Sequence, residues 1–479
     1  MNGGEFVRAG RRLMQYVWDP PPRNEDEAPI WCLGQRYDSH PTAMIDNNNN
    51  NNVTTTSTST TAHSPSHSES SRSHVDSKLS TTSDDDAKPG LLASGAVEGD
   101  ESFERVEAPD EGADNGWPTA FLDDVESKIW LTYRQDFHAI PTSTDPQATG
   151  SMSFTTRLKM LGNKAGFTSD TGWGCMIRSG QSLLANALVM VKLGRDWRTG
   201  QSPETEANLL ALFADHPDAP FSIHRFVEHG ASTCGKHPGE WFGPSATARC
   251  IQALTSQTTP SDLRVYVRPD DSDVYEDAFM RTAKGTEGVF HPTLILLGTR
   301  LGIDRVTPAY WASLASSLSL PQSVGIAGGR PSSSHYFIGV QGSRYFYLDP
   351  HFTRPGMPLS PSEADMATCH TRRIRALHVT QMDPSMLLGF LIRDEADWKS
   401  WREAITTRLA PVVQGGKSSC VVHVHDTEPS YDTLSSSSSS SGMGSTSAER
   451  GERAEAVDEV QSCDEGMESA DDDGDTVVC

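Results

Sequence analysis

The sequence predicts an α+β fold in which helices precede the main sheet, and three observations carry that prediction. From Cys175 onward Met176, Gly180, Leu183, Leu184, Ala187, Leu188 and Val191 recur at three- and four-residue steps, the period of one helix face. Further along, Thr293 to Leu297 is an almost wholly apolar run of strand length, and two aromatic-rich runs flank Gln341-Gly342-Ser343, a hairpin by length and glycine content. Outside these, two long stretches are too polar to join any core.

Taken in order, residues 1–40 form an N-terminal segment whose block Trp31-Cys32-Leu33-Gly34-Gln35-Arg36-Tyr37 is aromatic and apolar, so 30–37 is expected to pack on the core. Residues 41–115 carry the run Asn47 to Asn52, many Ser, Thr and His, and Asp84-Asp85-Asp86; few side chains there offset the entropy of ordering the backbone, and a disordered insertion is expected. Closing so long a loop is tolerable because its cost grows slowly with length. The main folded domain, papain-like in the order of its elements, is placed at 116–411. Within it Phe121, Leu122, Val125, Ile129, Trp130, Tyr133 and Phe137 have helical spacing, so one helix is expected from Phe121 to Phe137. The Cys175 helix should stop at Gly194. Pro244 to Thr255 reads as another helix, opened by a proline where the first turn tolerates one. Leu263 to Val267 and Thr293 to Leu297 read as strands, the second central, and Tyr336 to Val340 with Arg344 to Leu348 as the hairpin. This is the order of a papain-like domain, here with a small additional lobe. Residues 412–479, with the run Ser435 to Ser441 and an acidic end, are expected to be a disordered tail.

Charge narrows the partners. The net charge is −24, and Glu449 to Asp475 alone contributes twelve acidic and two basic residues, so much of the acidity belongs to the tail. Such a chain is a poor match for the phosphate backbone of nucleic acid, which rewards clustered Lys and Arg. The N-terminus reaches Arg8, Arg11 and Arg12 without the apolar stretch of a secretory signal, and no segment offers eighteen uninterrupted apolar residues. The eight cysteines are scattered without a dense framework, as suits a reducing compartment. Asn52-Val53-Thr54 fits the glycosylation sequon but means little without secretion, and Cys479 is not four residues from the end, as a prenylated cysteine would be.

The chemistry concentrates in Ser169-Asp170-Thr171-Gly172-Trp173-Gly174-Cys175-Met176-Ile177-Arg178. A glycine-rich turn delivers Cys175 to the first turn of an apolar helix, where unpaired N–H groups and the helix dipole favour a thiolate. The competing account is a small apolar residue packed under a helix. A nucleophilic cysteine needs a base and something to orient it, and Tyr347-Leu348-Asp349-Pro350-His351 supplies both; in extended backbone Asp349 and His351 share a face. His335, which opens the preceding strand, is a rival base that could also pair with Asp349, and spacing leaves the two open.

Gly172-Trp173-Gly174-Cys175, His335-Tyr336-Phe337-Ile338-Gly339 and Tyr347-Leu348-Asp349-Pro350-His351 resemble the autophagin family, cysteine peptidases that act on the ubiquitin-like modifier of autophagy. Trp31-Cys32-Leu33-Gly34, Leu131-Thr132-Tyr133-Arg134, Gly194-Arg195-Asp196-Trp197 and Trp241-Phe242-Gly243-Pro244 match too, in family order, and the long low-complexity insertion and tail suggest a fungal type. The resemblance implies Cys175 as nucleophile, His351 as general base, Asp349 as its orienting partner and His335 as a structural neighbour. Position 169, where papain-type enzymes carry the oxyanion glutamine, is serine here; the resemblance gives that role to the Tyr133 hydroxyl beside the Cys175 N–H. It also implies a regulatory loop over a tryptophan, matched by Trp241 and by Gly328-Gly329-Arg330-Pro331, with Gly329 and Pro331 as gating residues. It implies no cofactor and no metal. The implied substrates are the modifier precursor, trimmed to expose glycine, and the modifier linked to phosphatidylethanolamine, with membrane contact only through that lipid. A monomeric, cytoplasmic protein is expected, with nuclear and preautophagosomal pools as further sites. The alternatives are an inactive adaptor for the modifier and a related hydrolase acting on another ubiquitin-like protein.

Weaker patterns are set aside. Gly415-Gly416-Lys417-Ser418 lacks the first glycine of a phosphate loop, since Pro411 stands there. Cys420, His423, His425 and Asp426 are ligand types, but Val421, Val422 and Val424 between them alternate like a strand. Phe103-Glu104-Arg105-Val106 and Tyr431-Asp432-Thr433-Leu434 have the form of short peptides that add a strand to an autophagy modifier, a form that also arises often by chance.

Overall fold

A computed structural model of the chain describes residues 22–39, 114–143, 145, 148, 152, 156–157, 166–258, 263–330, 333–408 and 420–429. The strands are β1 (Ile30–Cys32), β2 (Gln35–Tyr37), β3 (Arg134–Ile140), β4 (Phe167–Ser169), β5 (Arg264–Arg268), β6 (Asp273–Tyr275), β7 (Thr293–Arg300), β8 (Ser323–Arg330), β9 (Ser333–Gln341), β10 (Arg344–Leu348), β11 (Arg354–Pro355), β12 (Arg375–His378), β13 (Ser385–Ile392) and β14 (His423–His425). The main sheet runs β12-β10-β9-β8-β13-β7-β5, antiparallel throughout except where β5 lies parallel to β7. Beyond the point where β8 leaves β9, β1 takes over that side of it, pairing Cys32 with Gly339 and Ile30 with Gln341.

Period-two alternation divides the core. Along β7, Leu294 and Leu296 enter one apolar cluster and Ile295 and Leu297 the other; along β13, Leu387 and Leu391 oppose Met386, Leu388 and Phe390. A one-residue slip would exchange both sets, so the register is fixed from two sides. The first cluster is covered by the helices Cys175–Lys192 and Pro244–Gln257. The second is covered by Glu276–Lys284, Trp311–Ser319 and Glu395–Arg408, where Phe279 stacks on Trp398 at 4.1 Å, so helices cover both faces of the sheet in this α+β fold. No helix among the described residues is long and apolar enough to cross a membrane.

The Cys175 helix ends as its sequence predicts: the N–H groups of Leu193 and Gly194 both reach Val189 O, and Gly194 turns the chain away at φ +88°. The helix expected over Phe121–Phe137 is corrected to Thr119–Glu126. The next backbone donors find partners elsewhere: Ile129 N bonds Asn186 Oδ1, Trp130 N bonds Cys369 O, Leu131 N bonds Ser182 Oγ and Tyr133 N bonds Pro350 O. Tertiary partners thus replace helical ones across a run of β-branched and aromatic residues, and Tyr133 lies in extended chain entering β3. The boundary expected at 411 is corrected as well. Cys420, Val421 and Val422 are buried in the second cluster, and β14 pairs parallel with β6, because this short apolar run can cover Trp311–Ser319 while the polar residues around it cannot. A strand is observed only at His423–His425, and the alternation expected there is corrected, since the adjacent Val421 and Val422 are both buried in the same cluster. Most of 41–115 and 412–479, with the Phe103 and Tyr431 peptides, lies outside the described residues.

Candidate active site

Ser169 closes β4, and the next five residues make the turn that presents Cys175. The Asp170 carbonyl accepts from Trp173 N at 3.1 Å and Gly174 N at 2.9 Å, while Gly172 takes φ +95°. A Cβ on Gly174 would fall 2.4 Å from Asp170 Oδ2, so only glycine fits. No side chain caps the helix, which leaves its first N–H groups to what sits beside Cys175, itself 1% exposed. A carboxylate holds the turn: Asp170 Oδ1 accepts from Arg134 N at 2.6 Å and Oδ2 from Arg178 Nε at 2.7 Å. Arg178 also donates to Asp215 at 2.8 Å, and these two carboxylates keep its buried guanidinium charged.

The second half of the site comes from the end of β10. Asp349 and His351 do meet, but not through extended backbone: the strand ends at Leu348, and the carboxylate accepts from its own chain two residues on, at His351 N, 3.0 Å. The same oxygen binds His351 Nδ1 at 2.6 Å, and Arg375 donates to the other at 3.0 Å. Trp130 Nε1 pins the Asp349 carbonyl at 2.7 Å. Cys175 lies close enough to the ring to favour its protonated form, and Ser333 Oγ is 3.2 Å from Nε2. Burial opposes charge on this ring, but the neighbouring Asp349 and Cys175 outweigh it, and His351 is pushed up to about 10. Burial likewise opposes charge on Asp349, yet His351, His335 and Arg375 hold its carboxyl well below the usual carboxylate range.

His335 behaves differently. It is buried, its Nε2 is 3.9 Å from Asp349, and its Nδ1 has no hydrogen-bond partner. Burial brings it down to about 3, so it stays neutral. Its ring packs edge-on against Tyr347 with centroids 4.5 Å apart. The two histidines that spacing left open are therefore separated by geometry.

Tyr133 lies edge-on to His351 with centroids 5.3 Å apart, and its hydroxyl is in the neighbourhood of Cys175 and the Gly172 backbone. Burial and the neighbouring Cys175 and Asp170 raise its hydroxyl well above its ordinary value, so it remains a donor. Ser169 Oγ instead bonds Thr171. The structure thus brings Cys175, His351, Asp349 and Tyr133 together. Trp241 is half-buried against the first core cluster. The gating loop is corrected: Gly328 to Arg330 belong to β8, with Gly329 paired to Ser334 and no room for a Cβ beside Ser333 O, so the loop is at most Pro331 and Ser332, outside the described residues. Sequence reasoning missed Asp170, Arg178, Trp130, Ser333 and Arg375. Only Arg178, a charge on an otherwise apolar helix, left a signal.

Comparison with known proteins adds one family match and three relatives, all consistent. Residues 118–404 match the peptidase C54 catalytic domain. A protein of Sclerotinia sclerotiorum named probable cysteine protease atg4 is 51% identical over 98% of each chain. One of Chaetomium globosum with the same printed name is 49% identical over 99% of this chain and 98% of its own, and the cysteine protease ATG4 of Pyricularia oryzae is 46% identical with the same coverage.

Proposed function

The chain belongs to the peptidase C54 family of autophagy-related cysteine proteases, and from that premise we propose that Cys175 cleaves the amide bond after the terminal glycine of a ubiquitin-like autophagy modifier. Two bonds have that chemistry: glycine to the C-terminal extension of the precursor, and glycine to the amine of phosphatidylethanolamine. The observation that carries the reading is a cysteine at a helix start beside an imidazole that Asp349 orients at 2.6 Å and Tyr133 packs against at 5.3 Å.

A His351 ring pushed up to about 10 readily takes the proton of the sulfur as attack begins. The sulfur attacks the glycine carbonyl carbon, and the oxygen becomes an oxyanion between the Tyr133 hydroxyl and the Cys175 N–H. Such preorganised donors are commonly the largest catalytic contribution. His351 then gives its proton to the departing amine, which breaks the C–N bond and leaves a thioester. As base, His351 next takes a proton from water, whose oxygen displaces the sulfur. Asp349 keeps the ring in the one tautomer that serves both steps. We place this activity in the cytoplasm and in a monomer, with membrane contact through the lipid of the substrate.

The test incubates the purified full chain with the precursor, with the lipid-linked modifier and with precursors of other ubiquitin-like proteins. Cleavage after glycine is expected for the first two alone. Cys175→Ala should lower both rates by about 10⁴-fold or more while retaining modifier binding. Normal cleavage by that variant would overturn the mechanism, equal cleavage of unrelated precursors would overturn the substrate assignment, and binding without cleavage by the unaltered chain would leave an adaptor.

A further inference from the structure

Away from the catalytic cysteine, three metal-ligating side chains converge. The helix Ile223–His229 runs into a five-residue π-turn, Gly230–Cys234, closed by Lys236 N on Gly230 O at 3.0 Å and by Gly235 at φ +64°. This turn brings Cys234 beside His229, and both face Cys250 in the second turn of Pro244–Gln257. One ligand atom of each residue lies within 4.8 Å of the other two. Cys250 is buried, while His229 and Cys234 are half-buried, and His229 lines a cleft of about 930 Å³ together with Thr233, Arg249 and Gln252. The Cys250 thiol has otherwise only a long contact to Phe226 O at 3.6 Å.

A tetrahedral zinc with bonds of about 2.3 Å to sulfur and about 2.0 Å to nitrogen sets its ligand atoms roughly 3.5–3.8 Å apart. Small side-chain shifts therefore convert the observed cluster into a coordination set. We infer that His229, Cys234 and Cys250 form a three-ligand site for a thiophilic divalent cation of the zinc type, with the fourth position open to the cleft. Two thiolates and an imidazole are soft and borderline donors, which disfavour magnesium and calcium. Coordination requires both thiols to lose their protons to solvent. Because binding displaces those protons, affinity falls as pH is lowered. Because Trp241 lies on the segment between Cys234 and Pro244, a bound cation would tie both ends of that segment.

The experiment titrates cobalt(II) into the reduced full chain carrying Cys175→Ala, which removes the active-site sulfur. One equivalent should produce a near-ultraviolet thiolate-to-cobalt charge-transfer band, abolished by added zinc, and zinc should raise the thermal midpoint. The histidine and carboxylate groups near Cys175 cannot give that band. Cys234→Ser, a half-buried change that preserves the core, should lose the band and the zinc-dependent shift. His229→Ala should keep a sulfur band at weaker affinity. Absence of a saturable band in the parent overturns the site, as does a band undiminished by Cys234→Ser or a Cys234–Cys250 disulfide forming despite zinc.

Discussion

Asp124 and Asp349 are both buried carboxylates surrounded by cations, and both are held well below the usual carboxylate range, yet they do opposite work. Asp124 accepts from Lys128 at 2.8 Å and from both terminal nitrogens of Arg195 at 2.8 Å, with Arg198 at 3.3 Å. None of these arginines exchanges a proton near neutrality, and Arg195 also donates to the carbonyls of Cys32 and Leu33. The cluster is a brace that ties the N-terminal segment and the helix Thr119–Glu126 to the chain just beyond the Cys175 helix. Asp349 instead holds an imidazole whose other nitrogen faces a thiol and a hydroxyl. Buried charge by itself therefore does not mark a reactive site; a partner able to pass a proton onward does.

The comparison can be broken, or sharpened, by three substitutions. Asp349→Asn should have the largest effect, lowering turnover by about 10²–10⁴-fold, because the wrong tautomer of His351 becomes available. It also removes the first of the two groups that raise His351, leaving Cys175, so the alkaline limit of the pH–rate profile should move down from about 10 toward the ordinary imidazole range. An alkaline limit that stays in place would show that Asp349 does not tune the ring. Asp124→Ala leaves Lys128 and Arg195 buried without their carboxylate and should cost about 3–5 kcal/mol of stability. Denaturant unfolding measures that loss, while turnover per folded molecule should be unchanged; lost turnover in folded protein would make the brace a second functional site. Tyr133→Phe removes one donor from the developing oxyanion and should lower turnover by about 10²–10³-fold with the unfolding midpoint nearly constant. Equal losses in precursor binding and turnover would mean that Tyr133 packs rather than donates.

What could be read from the chain follows the range of the forces involved. The Cys175 helix, its glycine stop and the hairpin at Gln341-Gly342-Ser343 are local, and periodicity with turn chemistry reveals them. Tyr133 was assigned to a helix because Phe121, Leu122 and Val125 do lie on one and the later apolar residues happen to continue its spacing; Asn186, Ser182, Cys369 and Pro350, remote in sequence, decide otherwise. β8 was invisible as a strand because Gly325, Gly328 and Gly329 depress strand propensity, although Gly329 is needed where Ser333 approaches. Asp349 and His351 were legible as a pair, but only the Asx-type turn and the isolated Nδ1 of His335 separate the two histidines. Arg375 reaches Asp349 from β12, a pairing with no sequence signature.

The pairing of β1 with β9 bears on how this protein should be cut. Gln341 donates to Asn24 Oδ1 and to the carbonyls of Asp26 and Ala28, and Arg195 depends on Cys32 and Leu33. A fragment starting at 118, where the family match begins, would strip those acceptors and bare part of the β9 edge to pair with a neighbouring molecule. A shorter version is better made by excising 40–113 and splicing a brief linker across the gap, because the unit that folds begins some ninety residues before the stretch that aligns.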